Sequence, residues 1–277
     1  MSLIEILKII VVGIVEGFTE WLPISSTGHM ILIDEIISLD MTPEFREVFM
    51  NVIQLGAMLA LIIMYFRRLN PFDSGKNADQ KLATWKLWLK IAIATVPAGV
   101  IGLILDDWVD SNLSSGLVVA VSLIVYGVAF IVIENINKRK APVIERLGKL
   151  DYQTALYIGL FQMLAIIPGT SRSGSTILGA MLLGCARPVA AEFSFFLAIP
   201  MMAGRSLVKI VKYGMEFSGT EIVYMLVGSV TAFLVSIYSV RFFIGWIKKN
   251  NFKLFGYYRI ILGTIVLLWY EISSLIG

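Results

Sequence analysis

The chain has 277 residues, of which 57% are hydrophobic and only 16% are charged, and its mean hydropathy is +0.82. A soluble domain carries about a quarter charged residues, so the composition excludes an ordinary soluble class and implies a protein that lives in a membrane. The net charge of +3 does not mark a nucleic-acid binder, because the basic residues lie between apolar runs, and the single cysteine, Cys185, excludes a disulfide framework or a thiolate metal cluster.

In chain order, the first apolar stretch, residues 3–38, is broken in its middle by Pro, Gly and Ser. It lacks a basic n-region and a small-residue cleavage site, so no cleaved leader is expected. Runs near the roughly 20 residues needed to cross a bilayer follow at 48–66, 88–105 and 116–133. A second broken stretch occupies 152–183, and three more full runs lie at 189–207, 221–240 and 257–275. The predicted fold is an all-α polytopic membrane protein with six full spans and two interrupted segments. Trp85, Trp88, Trp108 and Trp246 lie near span ends and fit interfacial belts.

The loops orient these spans. Residues 67–90 carry six Lys/Arg against Asp73 and Asp79, residues 138–151 carry five against two acids, and residues 241–259 carry five and no acid. The positive-inside rule makes all three cytoplasmic. Residues 34–47, acidic apart from Arg46, and the segment of Asp106, Asp107 and Asp110 are poor in Lys/Arg and are expected outside. Counting crossings back from 241–259, the segment 152–183 must begin and end in the cytoplasm, as a hairpin that dips in and returns.

The two broken segments are related at a shift of 146 residues: "GIVEGFTEWLPISSTGHMIL" (13–32) lies over "GLFQMLAIIPGTSRSGSTIL" (159–178) without a gap. Gly13 meets Gly159, Ser25 meets Ser171, Gly28 meets Gly174, and Glu16 meets Gln162. Each is followed by three spans. The chain therefore reads as one membrane domain built of two inverted repeats, about 1–135 and 150–277, joined by a basic loop at 136–150. If the first segment is also re-entrant, both termini lie outside.

The chemistry is concentrated where these segments break. In the first, Glu16 and Glu20 are four apart on one helix face, followed by Pro23, Ser25, Ser26, Thr27, Gly28 and His29, the only histidine. In the second, "PGTSRSGST" (168–176) sets Thr170, Ser171, Ser173, Ser175 and Thr176 around Arg172, with Gly169 and Gly174 allowing tight turns. Backbone N–H groups, a helix start and a guanidinium together describe an oxyanion site, most naturally for phosphate. Charges at membrane depth are functional by default. The competing readings are plainer: such hydroxyls often satisfy freed backbone groups, and Arg172 could be a counter-charge for Glu16 or Glu20. Asn51, Gln54, Glu192 and Ser194 are further polar residues in apolar surroundings and candidates for cavity lining.

The segments "EGFTEWLPISSTGH" and "PGTSRSGST", with their spacing and the span pattern, resemble the two signature segments of the bacterial undecaprenyl-diphosphate phosphatase family of the bacitracin-resistance type. The resemblance covers essentially the whole chain. It implies a multi-pass enzyme of the bacterial inner membrane, opening on the outer side, that removes one phosphate from a polyprenyl diphosphate and recycles the lipid carrier for the cell wall. It also implies re-entrant hairpins and inverted repeats.

Matched to the family, Glu16 and Glu20 are the acidic pair, Ser26, Thr27 and His29 the hydroxyl–histidine segment, and Arg172 the arginine of the second segment. Ser26 is then the candidate nucleophile, with His29 or Glu20 as its base, while direct attack by water and a phospho-His29 stay open. Arg172, Ser25, Thr27, Thr170, Ser171, Ser173, Gly174, Ser175, Thr176 and Gln54 are the expected diphosphate contacts. Glu16 and Glu20 are the expected ligands of a divalent cation, Mg2+ or Ca2+. The expected partners are the polyprenyl diphosphate, the membrane and a second copy in a homodimer, with the oligomeric state left open because the small residues of "IAIATVPAGVIG" (91–102) could pack helices within or between chains. The alternative from another class is a transporter or flippase for a phosphorylated lipid or anion, since inverted repeats with broken helices are transporter architecture.

Overall fold

The structure, a computed structural model, describes residues 2–113, 115–138 and 140–276. The side chains of Asp34, Glu35, Asp110 and residues 273–276 lie outside that description, as do Met1, Ser114, Arg139 and Gly277. Every named element is helical. Six helices are long and apolar enough to cross a membrane: α3 (Pro43–Met64), α5 (Ala78–Asn112), α6 (Gly116–Asn137), α9 (Arg187–Tyr213), α10 (Gly219–Ile247) and α11 (Lys253–Ile276). These are the six predicted spans, each extended beyond its apolar run at one end or both, although α3 stops at Met64, short of the predicted 66. The extensions are fixed by local chemistry. Thr42 caps α3 ahead of Pro43, while Asn77 with Gln80 and Ser218 with Glu221 form capping boxes at α5 and α10.

The two broken stretches each form a pair of short helices. α1 (Leu3–Thr19) and α2 (Ser26–Ile37) make the first pair, and α7 (Tyr152–Met163) and α8 (Arg172–Leu182) make the second; α4 (Phe66–Leu69) is a single turn. At 1.5 Å per residue, the longest of the four, the 17-residue α1, reaches about 25 Å, short of the hydrocarbon thickness of about 30 Å.

Each pair starts and finishes at the same end of the molecule. The Val143 and Ile144 amides donate to the Gly184 carbonyl at 2.9 and 3.0 Å, and the Ala186 amide donates back to Ile144 at 2.9 Å, so the chain entering α7 touches the chain leaving α8. At the start of α1, Lys8 donates to the Ser38 carbonyl at 2.9 Å, and the Asp40 amide donates to Glu5 at 3.2 Å.

Part of the helix packing is unchanged when the helices of the two halves are exchanged, although α8 packs on α9 where α2 has no such contact with α3. α1 and α3 pack on α10, while α7 and α9 pack on α5; α3 meets α9 and α6 meets α11. Exchanging α1 with α7, α3 with α9 and α5 with α10 turns the first set of contacts into the second. The matched glycines do matched work. A Cβ on Gly13 would stand 2.8 Å from the Gly228 carbonyl of α10, and one on Gly159 would stand 2.3 Å from the Ala94 carbonyl of α5. Both half-helices therefore approach their partner span backbone to backbone.

Ion pairs close both ends. At the end carrying the basic loops, Arg187 donates through Nε and Nη2 to the buried Glu134 at 2.8 and 2.5 Å, and Glu134 also accepts the Phe252 amide at 2.8 Å. At the other end, Lys209 meets Glu47 at 2.5 Å and Asp106 at 2.9 Å, and Lys212 meets Asp106 and Asp107. Asp106 and Asp107, without basic neighbours in sequence, find them across the fold on α9.

Candidate active site

The breaks of the two pairs meet in the interior. α1 ends at Thr19, and the Glu20 amide still donates to the Glu16 carbonyl at 3.0 Å, which keeps the two carboxylates one turn apart as their spacing predicts. Both α2 and α8 begin after a serine in a conformation that L-residues rarely adopt: Ser25 has φ 73° and Ser171 has φ 74°. Each caps its own helix, Ser25 Oγ accepting from the Gly28 amide at 3.2 Å and Ser171 Oγ from the Gly174 amide at 3.1 Å. The residues paired by the 146-residue shift thus share one geometry.

Charge and hydroxyl are joined across the two breaks. Ser26 Oγ donates to Glu20 Oε2 at 2.5 Å. Arg172 Nη2 donates to Glu20 Oε1 at 2.7 Å, and its Nη1 donates to the Ser194 carbonyl of α9 at 2.7 Å. Glu20 is therefore held from one side by the first helix pair and from the other by the second. Thr176 extends the chain, its Oγ1 lying 2.7 Å from Ser194 Oγ.

His29 faces another way. Its Nδ1 lies 2.7 Å from the Ser25 carbonyl, which can only accept, so Nδ1 carries a proton. Its Nε2 meets the Tyr258 hydroxyl at 2.6 Å, with the two rings parallel to within 4°. The hydrogen bond of Ser26 goes to Glu20, so of the two predicted bases Glu20 is the one in contact.

The remaining predicted contacts divide. Thr170 donates to the Leu164 and Ile167 carbonyls, Ser175 Oγ meets the Tyr126 hydroxyl at 3.1 Å, and Thr176 also reaches the Arg172 and Ser173 carbonyls. These three are buried and satisfied within the fold. Ser173 bonds Ser171 at 3.1 Å and the Leu22 carbonyl at 3.5 Å, touching both breaks. Thr27 is exposed, and Gln54, on α3, is partly buried and makes no hydrogen bond among the described residues. Of the other polar candidates, Asn51 bonds its own helix at the Glu47 carbonyl, and Glu192 pairs with Arg68.

Glu16 is the exception to this satisfaction. It is 0% exposed, and neither carboxylate oxygen has a hydrogen-bond partner. Two orphaned oxygens at membrane depth, one turn from Glu20, fit a hard divalent cation held by one or two carboxylates and completed by phosphate oxygens and water. No group of three or more His, Cys, Asp or Glu gathers among the described residues, so protein ligands alone would not enclose such an ion.

Sequence reasoning missed Tyr258 and Arg259. Arg259 was counted with the basic loop 241–259, but it is 0% exposed. Its Nη1 donates to the Pro23 carbonyl at 3.1 Å, and its Nη2 donates to the Gly169 and Thr170 carbonyls at 2.7 and 2.9 Å. The loop keeps Arg241, Lys248, Lys249 and Lys253. The signal was present: Arg259 lies inside the apolar helix that begins at Lys253, where a charge is expensive.

The family model described as "Bacitracin resistance protein BacA" matches residues 9–265. A protein of Desulfitobacterium hafniense named undecaprenyl-diphosphatase is 54% identical over 100% of both chains. One of Acetivibrio thermocellus with the same name is 53% identical over 97% of this chain and 98% of its own. Undecaprenyl-diphosphatase 1 of Clostridioides difficile is 55% identical over 97% of each. A match across nearly the whole chain, over six spans and both helix breaks, places this chain in the bacitracin-resistance BacA family of multi-pass membrane proteins.

Proposed function

We propose that the chain hydrolyses undecaprenyl diphosphate to the monophosphate and phosphate, recycling a lipid carrier for the cell wall and so conferring bacitracin resistance. The observation that carries the reading is the Ser26–Glu20–Arg172 chain, which puts a hydroxyl, a base and a guanidinium in direct contact across two helix starts. A proton relay needs no such serine. Membership in a family whose curated members bear the diphosphatase name supports it further.

In this mechanism Ser26 Oγ attacks the terminal phosphorus and its proton passes to Glu20 Oε2. The bond from that phosphorus to the bridging oxygen breaks, and the lipid monophosphate leaves. Glu20 gives that proton up to the departing lipid monophosphate; water then attacks the phosphoserine, Glu20 takes a proton from the water and returns it to Ser26 Oγ as its bond to phosphorus breaks, and phosphate is released. Arg172 holds the equatorial phosphate oxygens, since phosphoryl transfer is mainly positioning and charge neutralisation. Glu16 and Glu20 would hold the divalent cation, which when bound lets two carboxylates face a diphosphate without repelling it.

The same reading takes the two helix pairs as re-entrant hairpins, one in each of two inverted repeats in a bacterial inner membrane. The common end of each pair supports it, as do the matched contacts of α1 and α3 on α10 and of α7 and α9 on α5. With the basic loops cytoplasmic, both termini and the opening of the site then face outward. Fusions of a topology reporter to either terminus should read outside; a cytoplasmic N-terminus would remove the first re-entrant hairpin.

The test is a mutant cycle in single-turnover phosphate release at saturating lipid and cation. Ser26→Ala and Glu20→Gln should each cost about 10²–10⁴-fold. Their double should cost little more than the worse single, because the two act as one unit. His29→Ala, bonded elsewhere, should multiply with Glu20→Gln. Substantial turnover in Ser26→Ala would reject the serine and leave water or His29 as the attacking group.

A further inference from the structure

Among the described residues the buried cations are Lys90, which lies over the Tyr152 ring, Lys209 and Arg259, and they differ in what faces them. Lys209 meets Glu47 and Asp106, and the less buried Arg172 and Arg187 meet Glu20 and Glu134. Arg259 is fully buried on α11 and pairs with no carboxylate among the described residues. Its guanidinium lies over the Tyr126 ring, 5.4 Å from the centroid, and its Nε has no hydrogen-bond partner. Burying an unpaired charge is costly, and a core that needed only packing would be filled at lower cost by an apolar side chain.

What Arg259 does instead is geometric. One nitrogen holds the Pro23 carbonyl of the first break, and the other holds the Gly169 and Thr170 carbonyls of the second. These carbonyls belong to the two turns that deliver Glu20 and Ser26 on one side and Arg172 on the other. A planar fork joins the two backbones from two nitrogens held in a fixed plane, whereas an ammonium offers its donors from a single centre. The sequence makes room for it: a Cβ on Gly174 would stand 3.1 Å from Arg259 Nη1. Gly169, at φ +91°, turns its carbonyl to the guanidinium from a conformation that suits glycine. The neighbouring Tyr258 meets His29 from the same turn of α11.

We infer that Arg259 is a positioning residue for the reaction, a clasp that sets the first helix break against the second so that the serine and the phosphate-holding arginine stay in register. The inference rests on the phosphatase reading above. It differs from a packing role in what it predicts: a misplacement of about 1 Å between reacting groups can cost about 10²-fold in rate without loss of the fold or of lipid binding.

The experiment uses full-length protein in detergent, with Arg259→Gln and, as a charge-retaining variant with one donor centre, Arg259→Lys. Steady-state release of phosphate from undecaprenyl diphosphate should show kcat lowered at least about 30-fold in both, with KM changed less than about threefold. In a Cys185→Ser background, spin labels at Phe18→Cys and Leu164→Cys, both exposed positions near the two breaks, should give a distance distribution at least about twice as wide in each variant as with Arg259, by the same loss of register.

Near wild-type kcat in a folded variant would overturn the inference. So would a loss of kcat with an unchanged distance distribution. If Arg259→Gln does not yield monodisperse protein, Arg259→Lys decides by the same two readouts; a Lys variant with full turnover and a narrow distribution would reduce Arg259 to a structural charge. Failure of the unmodified chain to release phosphate would count against the phosphatase reading itself, and is distinguished by being seen before any substitution.

Discussion

Ser25 and Ser171 hold φ angles of 73° and 74° where glycine would be at ease, a strain of about 1–3 kcal/mol each. Both keep the hydroxyl that caps the helix beginning next to them, so the strain aims each helix start at the other break. Arg172 sits at one of those starts and makes two contacts at once, to Glu20 and to the Ser194 carbonyl. Lysine keeps the charge but presents it from one centre, without the two separate nitrogens that make these contacts. Arg172→Lys should therefore lower kcat/KM nearly as far as Arg172→Ala, by about 10²-fold or more; near wild-type turnover in the lysine variant would make the residue a counter-charge only. At this scale much was legible. Glu16, Glu20, Ser26 and Arg172 stood out because charge and hydroxyl are rare in an apolar chain. The partner of each was not, because nothing in the order of residues says that Ser26 turns to Glu20 while His29 turns 229 positions along to Tyr258.

Helices in this fold touch through glycine in some places and leave glycine free in others. A Cβ on Gly56 would stand 2.1 Å from the Ser229 carbonyl of α10, whereas nothing lies within 4 Å of one on Gly99 in α5. Backbone cannot move aside as a side chain can. Gly56→Ala should destabilise the protein by about 1–3 kcal/mol, and Gly99→Ala should be neutral or stabilising by up to about 1 kcal/mol. Thermal unfolding of both in the same detergent checks this, and equal behaviour would contradict the packing of α3 on α10. The six spans were readable from hydropathy alone, because an unbroken apolar run of that length has few other uses. Their true ends were not, since caps such as Asn77 with Gln80 carry helix past the apolar run. Arg259 was misread for the complementary reason: a window that counts charge in a loop does not see that the helix has already begun at Lys253.

For the molecule as a whole, two pairs of helices, each helix shorter than a bilayer is thick, pack among six helices long enough to cross one, and the polar chemistry lies where the pairs break. That plan is shared with transporters, and the two classes differ in what they need from their surroundings. An enzyme converts its substrate wherever the substrate can reach the site, whereas a transporter needs two sides. The most direct measurement is phosphate release from undecaprenyl diphosphate by the purified full-length protein in detergent micelles, with a divalent cation and no gradient. The account predicts one phosphate released per lipid at many turnovers per protein, lowered by at least about 10²-fold in Ser26→Ala; no release by the unmodified protein, under conditions in which it remains folded and binds the lipid, would contradict it.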